Sequence, residues 1–482
     1  MATAIATAAM LGFGMLAGGV SAAKPGEKTV EILSQPINLR YGEVNNHFQP
    51  NQDLPEEIRE AFRNKTMAIV DFEVDIVDAQ GNQVPLYEMY NHHYAALLGT
   101  EEYANAIYQL FKDAPFGIPS PSNLTELVIP ENLRKNATGG DGSSTSFRAS
   151  DVNNRKLLMM EMMQNIGGFR SIQQDNNRGG FGGGAGAEMR HINNRAPPGY
   201  AYFVDNPEQW TPLFHFINQK VPEGVDASDN ALFECPCTPQ RVIDVENGTI
   251  DGTKSFANPF GTCNEAFEES NPSCELSTYV GGWRCCEDGV FVLDTDKYDV
   301  DALPTDEVYG VFRITYLDGV DARDTDLKPL ESLGGDITGS VYTKGNVEFD
   351  VPLCEEGTAP EDCIYEMETV HYISGGINAT DDTLWEIPYL VGHLHKGGID
   401  LSMYNMTTGD LICRSTPIYG NGTEAGNEDG YLVGMNPCYF EGDDLIVAPA
   451  NEKVRSVVRY NSTEPHTGVM ALWFPRGAEV SA

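Results

Sequence analysis

The chain has 482 residues, of which 41% are apolar, and 31 lysines and arginines stand against 71 aspartates and glutamates for a formal net charge of -40. That length exceeds what one ordinary domain needs. So acidic a surface repels phosphate backbones and anionic lipid headgroups, which argues against nucleic acid and membrane surfaces as partners.

Residues 1–23, "MATAIATAAMLGFGMLAGGVSAA", are apolar and end in the small residues Val20, Ser21, Ala22 and Ala23. This is the pattern of a secretory signal peptide cleaved near Ala22 or Ala23. No later segment is long and apolar enough to span a bilayer, so no transmembrane segment is expected. Ten cysteines, an even number, and eight Asn-x-Ser/Thr sequons fit an oxidising route to a secreted, extracellular glycoprotein. The sequons stand at Asn64, Asn123, Asn136, Asn247, Asn378, Asn405, Asn421 and Asn461.

Met67–Gly99 alternates apolar and polar residues around a Gly81-Asn82 turn and predicts antiparallel strands. "EEYANAIYQLFKDA" predicts a helix, and "SDVNNRKLLMMEMMQNIGG" another, with Asp151 as N-cap and Gly167 as its stop. The glycine-rich run Asn176–His191 lacks the order of a phosphate loop and reads as a flexible loop. "EVYGVFRITYLDGV", "GSVYTKGNVEFDVPL", "LICRSTPIYG" and "KVRSVVRYNSTEPHTGVMALWF" again read as strands. The fold expected is all-β: two antiparallel β-sandwich, jelly-roll-like domains at 24–230 and 291–482, joined by a cysteine-rich connector at 231–290. The connector holds Cys235, Cys237, Cys263, Cys274, Cys285 and Cys286. Cys354 is expected to pair locally with Cys363, and Cys413 with Cys438 around the loop they bracket. The "CPC" and "CC" spacings do not suit structural zinc, which leaves disulfides.

Among nine histidines, His393 and His395 stand two apart in "IPYLVGHLHKGGIDLSMYN". On a strand both rings project to one side and suit a shared metal; the plainer reading is two polar residues on a half-buried strand. His92 and His93 are adjacent and would face opposite ways on a regular strand, so they reach one ion only at a strand end or a bulge. His215 lies in the apolar "WTPLFHFINQK", where a satisfied core histidine is ordinary. Met470 would ordinarily fill core and matters as a ligand only for a soft ion such as copper(I). His466 lies four residues earlier, on the order of 13 Å along a continuous strand, too far to share an ion with it unless Gly468 bends the chain. Met159, Met160, Met162 and Met163 read as a helix face packed into the core.

"VGHLHKGGIDLSMYNMTTGDLICRSTPIYG", "EAGNEDGYLVGMNPCY" and "HTGVMALWF" resemble the C-terminal signature of the stress up-regulated nodulin ("Nod nineteen") family. "VPLYEMYNHHYAALLG", "FECPC" and "GGWRCCEDG" are similar to further blocks of that family in the same order. In motif order the family is similar to the copper type II, ascorbate-dependent monooxygenases of the peptidylglycine-hydroxylating and dopamine β-type. This resemblance implies two copper ions facing each other across a solvent-filled cleft. One would be held by His92, His93 and His215; the other, which activates dioxygen, by His393, His395 and Met470. Ascorbate would be the external reductant. The positions that grip a peptide carboxylate in those enzymes hold Val391, Leu472 and Phe474 here, which points away from peptidylglycine and toward an unknown small or apolar substrate. Two readings follow: a secreted dicopper monooxygenase, or a non-catalytic, stress-related extracellular or cell-wall glycoprotein that binds copper or is purely structural.

Overall fold

The computed structural model describes residues 24, 26–111, 180–225, 242–244, 249–251, 288–289, 291–293, 298–336, 348–374 and 384–480. The signal segment, the helix after Asp151 with its methionines, the six connector cysteines and the sequons at Asn123, Asn136, Asn247 and Asn378 lie outside the described residues.

The fold is predominantly β, built from antiparallel sheets packed in pairs. One sheet places Thr305–Leu317 between Glu27–Leu33 and Thr66–Asp78, with Tyr200–Asp205 beyond. Its partner orders Val44–Phe48, Gln209–Asn218, Met89–Gly99 and Gly180–Ala185. Aromatic residues fill the space between the two. Trp210 stacks on Phe312 at 5.9 Å, Phe72 meets Phe181 edge-on at 5.1 Å, and Gly310 is bare because a Cβ there would overlap the Phe214 ring.

The second sandwich pairs a sheet built on His466–Glu479 and Leu384–Leu394 with a sheet of Ile364–Tyr372, Lys453–Asn461, Gly398–Asn405 and Leu411–Ser415. Across its core, Trp473 Nε1 donates to Ser456 Oγ at 2.9 Å, and the Gly392 N–H donates to Ser415 Oγ at 3.0 Å. Burying Trp385, Tyr389, Tyr460 and Trp473 contributes roughly 2–3 kcal/mol of apolar transfer per side chain. Cys354 pairs with Cys363 and Cys413 with Cys438, with Cα separations of 5.6 and 6.0 Å, as expected. The helix Glu101–Phe111 and the Gly81 turn also stand where periodicity places them.

Two features differ from the sequence expectation. Gly180–Ala185, expected as a loop, is a strand paired with Tyr94–Gly99. A run of glycines carries no alternation, so its strand character is invisible until a neighbour supplies the hydrogen bonds. Thr305–Leu317 lies beyond the connector yet pairs inside the first sandwich, and the chain enters the second only at Glu331. The sheets therefore part near residue 330 rather than at 290. Long-range strand pairing leaves no local mark in composition.

Candidate metal centre

His92 and His93 lie on Met89–Gly99, whose pairing with Gln209–Asn218 slips by one residue between Asn91 and His93. The bulge accommodates His92 as the extra residue and brings two adjacent side chains to one locus, which regular alternation forbids. His93 then stands directly opposite His215. Its Nδ1 lies 2.8 Å from His92 Nδ1 and 3.3 Å from His215 Nδ1. His191 is elsewhere, donating from Nε2 to the Gly426 carbonyl at 2.6 Å.

His393 is the penultimate residue of Leu384–Leu394, and His395 follows the strand end. Met470 is on the neighbouring strand His466–Glu479. Tyr460 ties the two segments together: its hydroxyl accepts from the His395 N–H at 2.9 Å and donates to the Met470 carbonyl at 2.6 Å. His466 packs its ring beside Tyr460, centroids 6.3 Å apart, and fills the space over Gly397.

These two groups touch. His93 Nε2 is 3.1 Å from Met470 Sδ, and the His92 and His395 rings are 4.8 Å apart. The ligating atoms of His92, His93 and His215 lie within 4.8 Å of one another, and so do those of His93, His393 and His395. His93 belongs to both triads. Five imidazoles and a thioether thus form one contiguous cluster between the sandwiches, where the monooxygenase resemblance implies separate ions across a solvent-filled cleft. His92 and His393 are each 1% exposed, so bulk solvent does not part them.

A one-turn segment closes the gap. Ala187–Arg190 projects from the first sandwich, and Glu188, fully buried, accepts a hydrogen bond from His393 Nδ1 at 2.6 Å. That contact fixes the tautomer of His393, leaving the Nε2 lone pair for the cluster. Gly186 must be glycine for reasons of space: a Cβ there would lie 2.7 Å from the His92 carbonyl oxygen and 2.9 Å from His393 Cε1. Arg190 spans both halves, bonding Asp75 at 2.7 Å and Glu428 at 3.2 Å. Sequence reasoning missed Glu188 and Arg190. Neither sits in a ligand-like spacing, and their partners are far away in the chain.

Burial first, and the neighbouring imidazoles second, hold His92, His93 and His395 well below the ordinary histidine pKa. Burial takes His215 to about 3. The rings are therefore neutral at physiological pH, the state in which imidazole ligates a metal. His92 Nε2, His393 Nε2 and His395 Nε2 are buried without a hydrogen-bond partner among the described residues. Buried ring nitrogens without a protein partner, set among grouped imidazoles, suit a cation. The donor set is all imidazole and thioether, with the Glu188 carboxylate engaged by His393. That disfavours hard, oxygen-seeking ions and is compatible with copper, for which the thioether is a fair ligand.

The family model described as Stress up-regulated Nod 19 matches residues 26–112 and 183–479, most of the chain. The chain belongs to this family. No curated protein matches it. The matched span takes in all six members of the cluster and also Glu188, so the centre lies within the family's own region. Among the described residues no helix is long and apolar enough to cross a membrane.

Proposed function

We propose that this Nod 19 family member is a secreted copper protein with the chemistry of an ascorbate-dependent monooxygenase. The observation that carries the reading is the set of unpartnered, buried Nε2 atoms on His92, His393 and His395 inside a six-donor cluster. His92, His93 and His215 would hold one ion and His393, His395 and Met470 a second. Bound copper would supply one-electron redox chemistry and a binding position for dioxygen. Hydroxylation of a C–H bond places one oxygen atom in the product and the other in water. The two electrons this requires come from ascorbate.

This chain's own residues do the rest. Glu188 holds the His393 proton on Nδ1, Tyr460 sets the spacing of His395 and Met470, and Gly186 lets its segment pack directly on His92 and His393. Secretion and glycosylation are supported by the paired cysteines and by Asn64, Asn421 and Asn461, which are exposed at their sequons. The test is copper-to-protein stoichiometry, followed by ascorbate-driven oxygen consumption. Two ions per chain with ascorbate-dependent uptake is the expected result. Copper without uptake leaves the non-catalytic copper-binding glycoprotein, and no copper overturns both.

A further inference from the structure

Beside the cluster, a second set of buried polar atoms has no role in holding a metal. Arg476 is 3% exposed, and no described carboxylate pairs with it. Its Nη1 bonds Ser332 Oγ, it hydrogen-bonds the Tyr202 side chain and its guanidinium carbon lies 5.8 Å from that ring, yet its Nε has no partner among the described residues. The same is true of the hydroxyls of Tyr389 and Tyr94, both buried. Tyr389 is the direct cross-strand neighbour of Arg476. Tyr94, two residues beyond His92 on the first sandwich, lies within electrostatic reach of Arg476 and Glu188. A buried guanidinium without a counter-charge is costly, and each unmet hydroxyl adds to the cost. Arg476 and Tyr389 side by side, with Tyr94 within electrostatic reach, point to a partner that is negative and accepts several hydrogen bonds.

The strand itself says what lies between this place and the cluster. From Leu472 to Arg476 the pairing with Leu384–Leu394 is regular, matching His393 with Leu472, Val391 with Phe474 and Tyr389 with Arg476. Alternation therefore puts Leu472, Phe474 and Arg476 on the face that carries His393. Leu472 and Phe474 are partly exposed, and the Phe474 ring lies 5.8 Å from that of His393. Four residues of strand, on the order of 13 Å, separate the level of His393 from that of Arg476. The strip is cationic at one end and apolar in the middle, and it ends at the histidines.

We propose that this strip binds an elongated apolar monocarboxylate, with its carboxylate between Arg476, Tyr389 and Tyr94 and its chain over Phe474 and Leu472 toward His393. A guanidinium and two hydroxyls match the two oxygens of a carboxylate, and the apolar residues favour an unsubstituted chain. The chain's net charge of -40 does not forbid an anion here, because that long-range field is screened within about 8 Å at physiological salt whereas the Arg476 contact is direct. As a substrate assignment the strip rests on the function proposed above, but binding to it does not need the metal.

The test uses full-length, metal-free protein with octanoate, octanamide and acetate as probes, read by calorimetric titration and thermal shift. Octanoate is expected to bind and raise the melting temperature; octanamide lacks the charge and acetate the chain, and neither should. Tyr389→Phe, which removes only a hydroxyl, should weaken octanoate about tenfold. Arg476→Met should abolish the response while leaving the free protein as stable as wild type or more so, since it removes an unpaired buried charge. Equal binding of octanoate and octanamide, or octanoate binding unchanged in Tyr389→Phe and Arg476→Met, overturns the proposal. So does the absence of any octanoate response. Copper stoichiometry measured in parallel separates the two ideas: a copper-loaded protein blind to octanoate sinks the strip alone, and octanoate binding without copper sinks the metal centre alone.

Discussion

Glu188 ties a histidine of the second sandwich to the first. It reaches His393 Nδ1 at 2.6 Å from the opposite sandwich, and a ligand so oriented binds metal more tightly than a ring free to rotate or change tautomer. Glu188→Ala is expected to lower copper affinity at the His393 side by about 10–100-fold, with Glu188→Gln, which still accepts a hydrogen bond, lying between it and wild type. Titration against a competing chelator measures this, and equal affinities in all three would reduce Glu188 to a packing residue. Met470 makes a different prediction. Its sulfur favours copper(I), so Met470→His should retain copper(II) close to wild type while ascorbate-driven oxygen consumption falls. Wild-type behaviour in both assays would make Met470 core filler. His393 with His395, and His92 with His93, were legible from spacing because imidazoles near one another in sequence are easy to see, whereas His215 and Met470 read as core and entered the set only through the resemblance. Glu188 and Arg476 were not legible: an acid after a glycine run and an arginine in an apolar strand acquire meaning only through partners on other elements.

At the scale of elements, the local patterns were readable wherever alternation or a turn residue marked them. The need for a bulge at His92 and His93 could be stated from adjacency alone, and the register slip after Asn91 meets it. What could not be read was which strands pair, as with Gly180–Ala185 or Thr305–Leu317, because pairing depends on edges that composition does not mark. Inside the second sandwich, pairing also creates a proton-sensitive element. Trp473 Nε1 donates to Ser456 Oγ, Ser456 lies 2.8 Å from His371 Nε2, and His371 Nδ1 donates to the Tyr372 carbonyl at 2.9 Å. In this chain of bonds His371 is neutral and fully used, and burial lowers its pKa to about 4. The unfolded chain takes up that proton near 6.5, so its stabilising contribution is complete above pH 6.5 and is lost as pH falls from 6.5 to about 4. The loss amounts to roughly 3 kcal/mol over that window. Denaturant unfolding at pH 7 and pH 4.5 should show this loss in wild type and a smaller one in His371→Gln. Identical pH slopes would mean that His371 is not held neutral.

For the whole molecule, the cluster matters because its donors come from both sandwiches. Polar links already cross between them: Arg190 to Asp75 and Glu428, the Tyr431 hydroxyl to Gln219 Oε1 at 2.8 Å, and the Tyr200 hydroxyl to Glu386 Oε2 at 2.9 Å. A ligand that binds only the folded state stabilises it by about 4 kcal/mol when present at a thousand times its dissociation constant. Because His93 stands in both triads, copper should stabilise the two sandwiches together rather than one of them. Calorimetry with and without copper is expected to show one cooperative transition moving upward. Ionic strength must be held constant, since the net charge of -40 makes the free protein itself sensitive to salt screening. His93→Ala, which removes the shared donor, should lose most of the shift, whereas His215→Ala, confined to the first triad, should keep a substantial part of it. Two transitions of which copper moves only one would mean that the groups bind independently, one in each sandwich, and that the contact through His93 and Met470 carries no coupling.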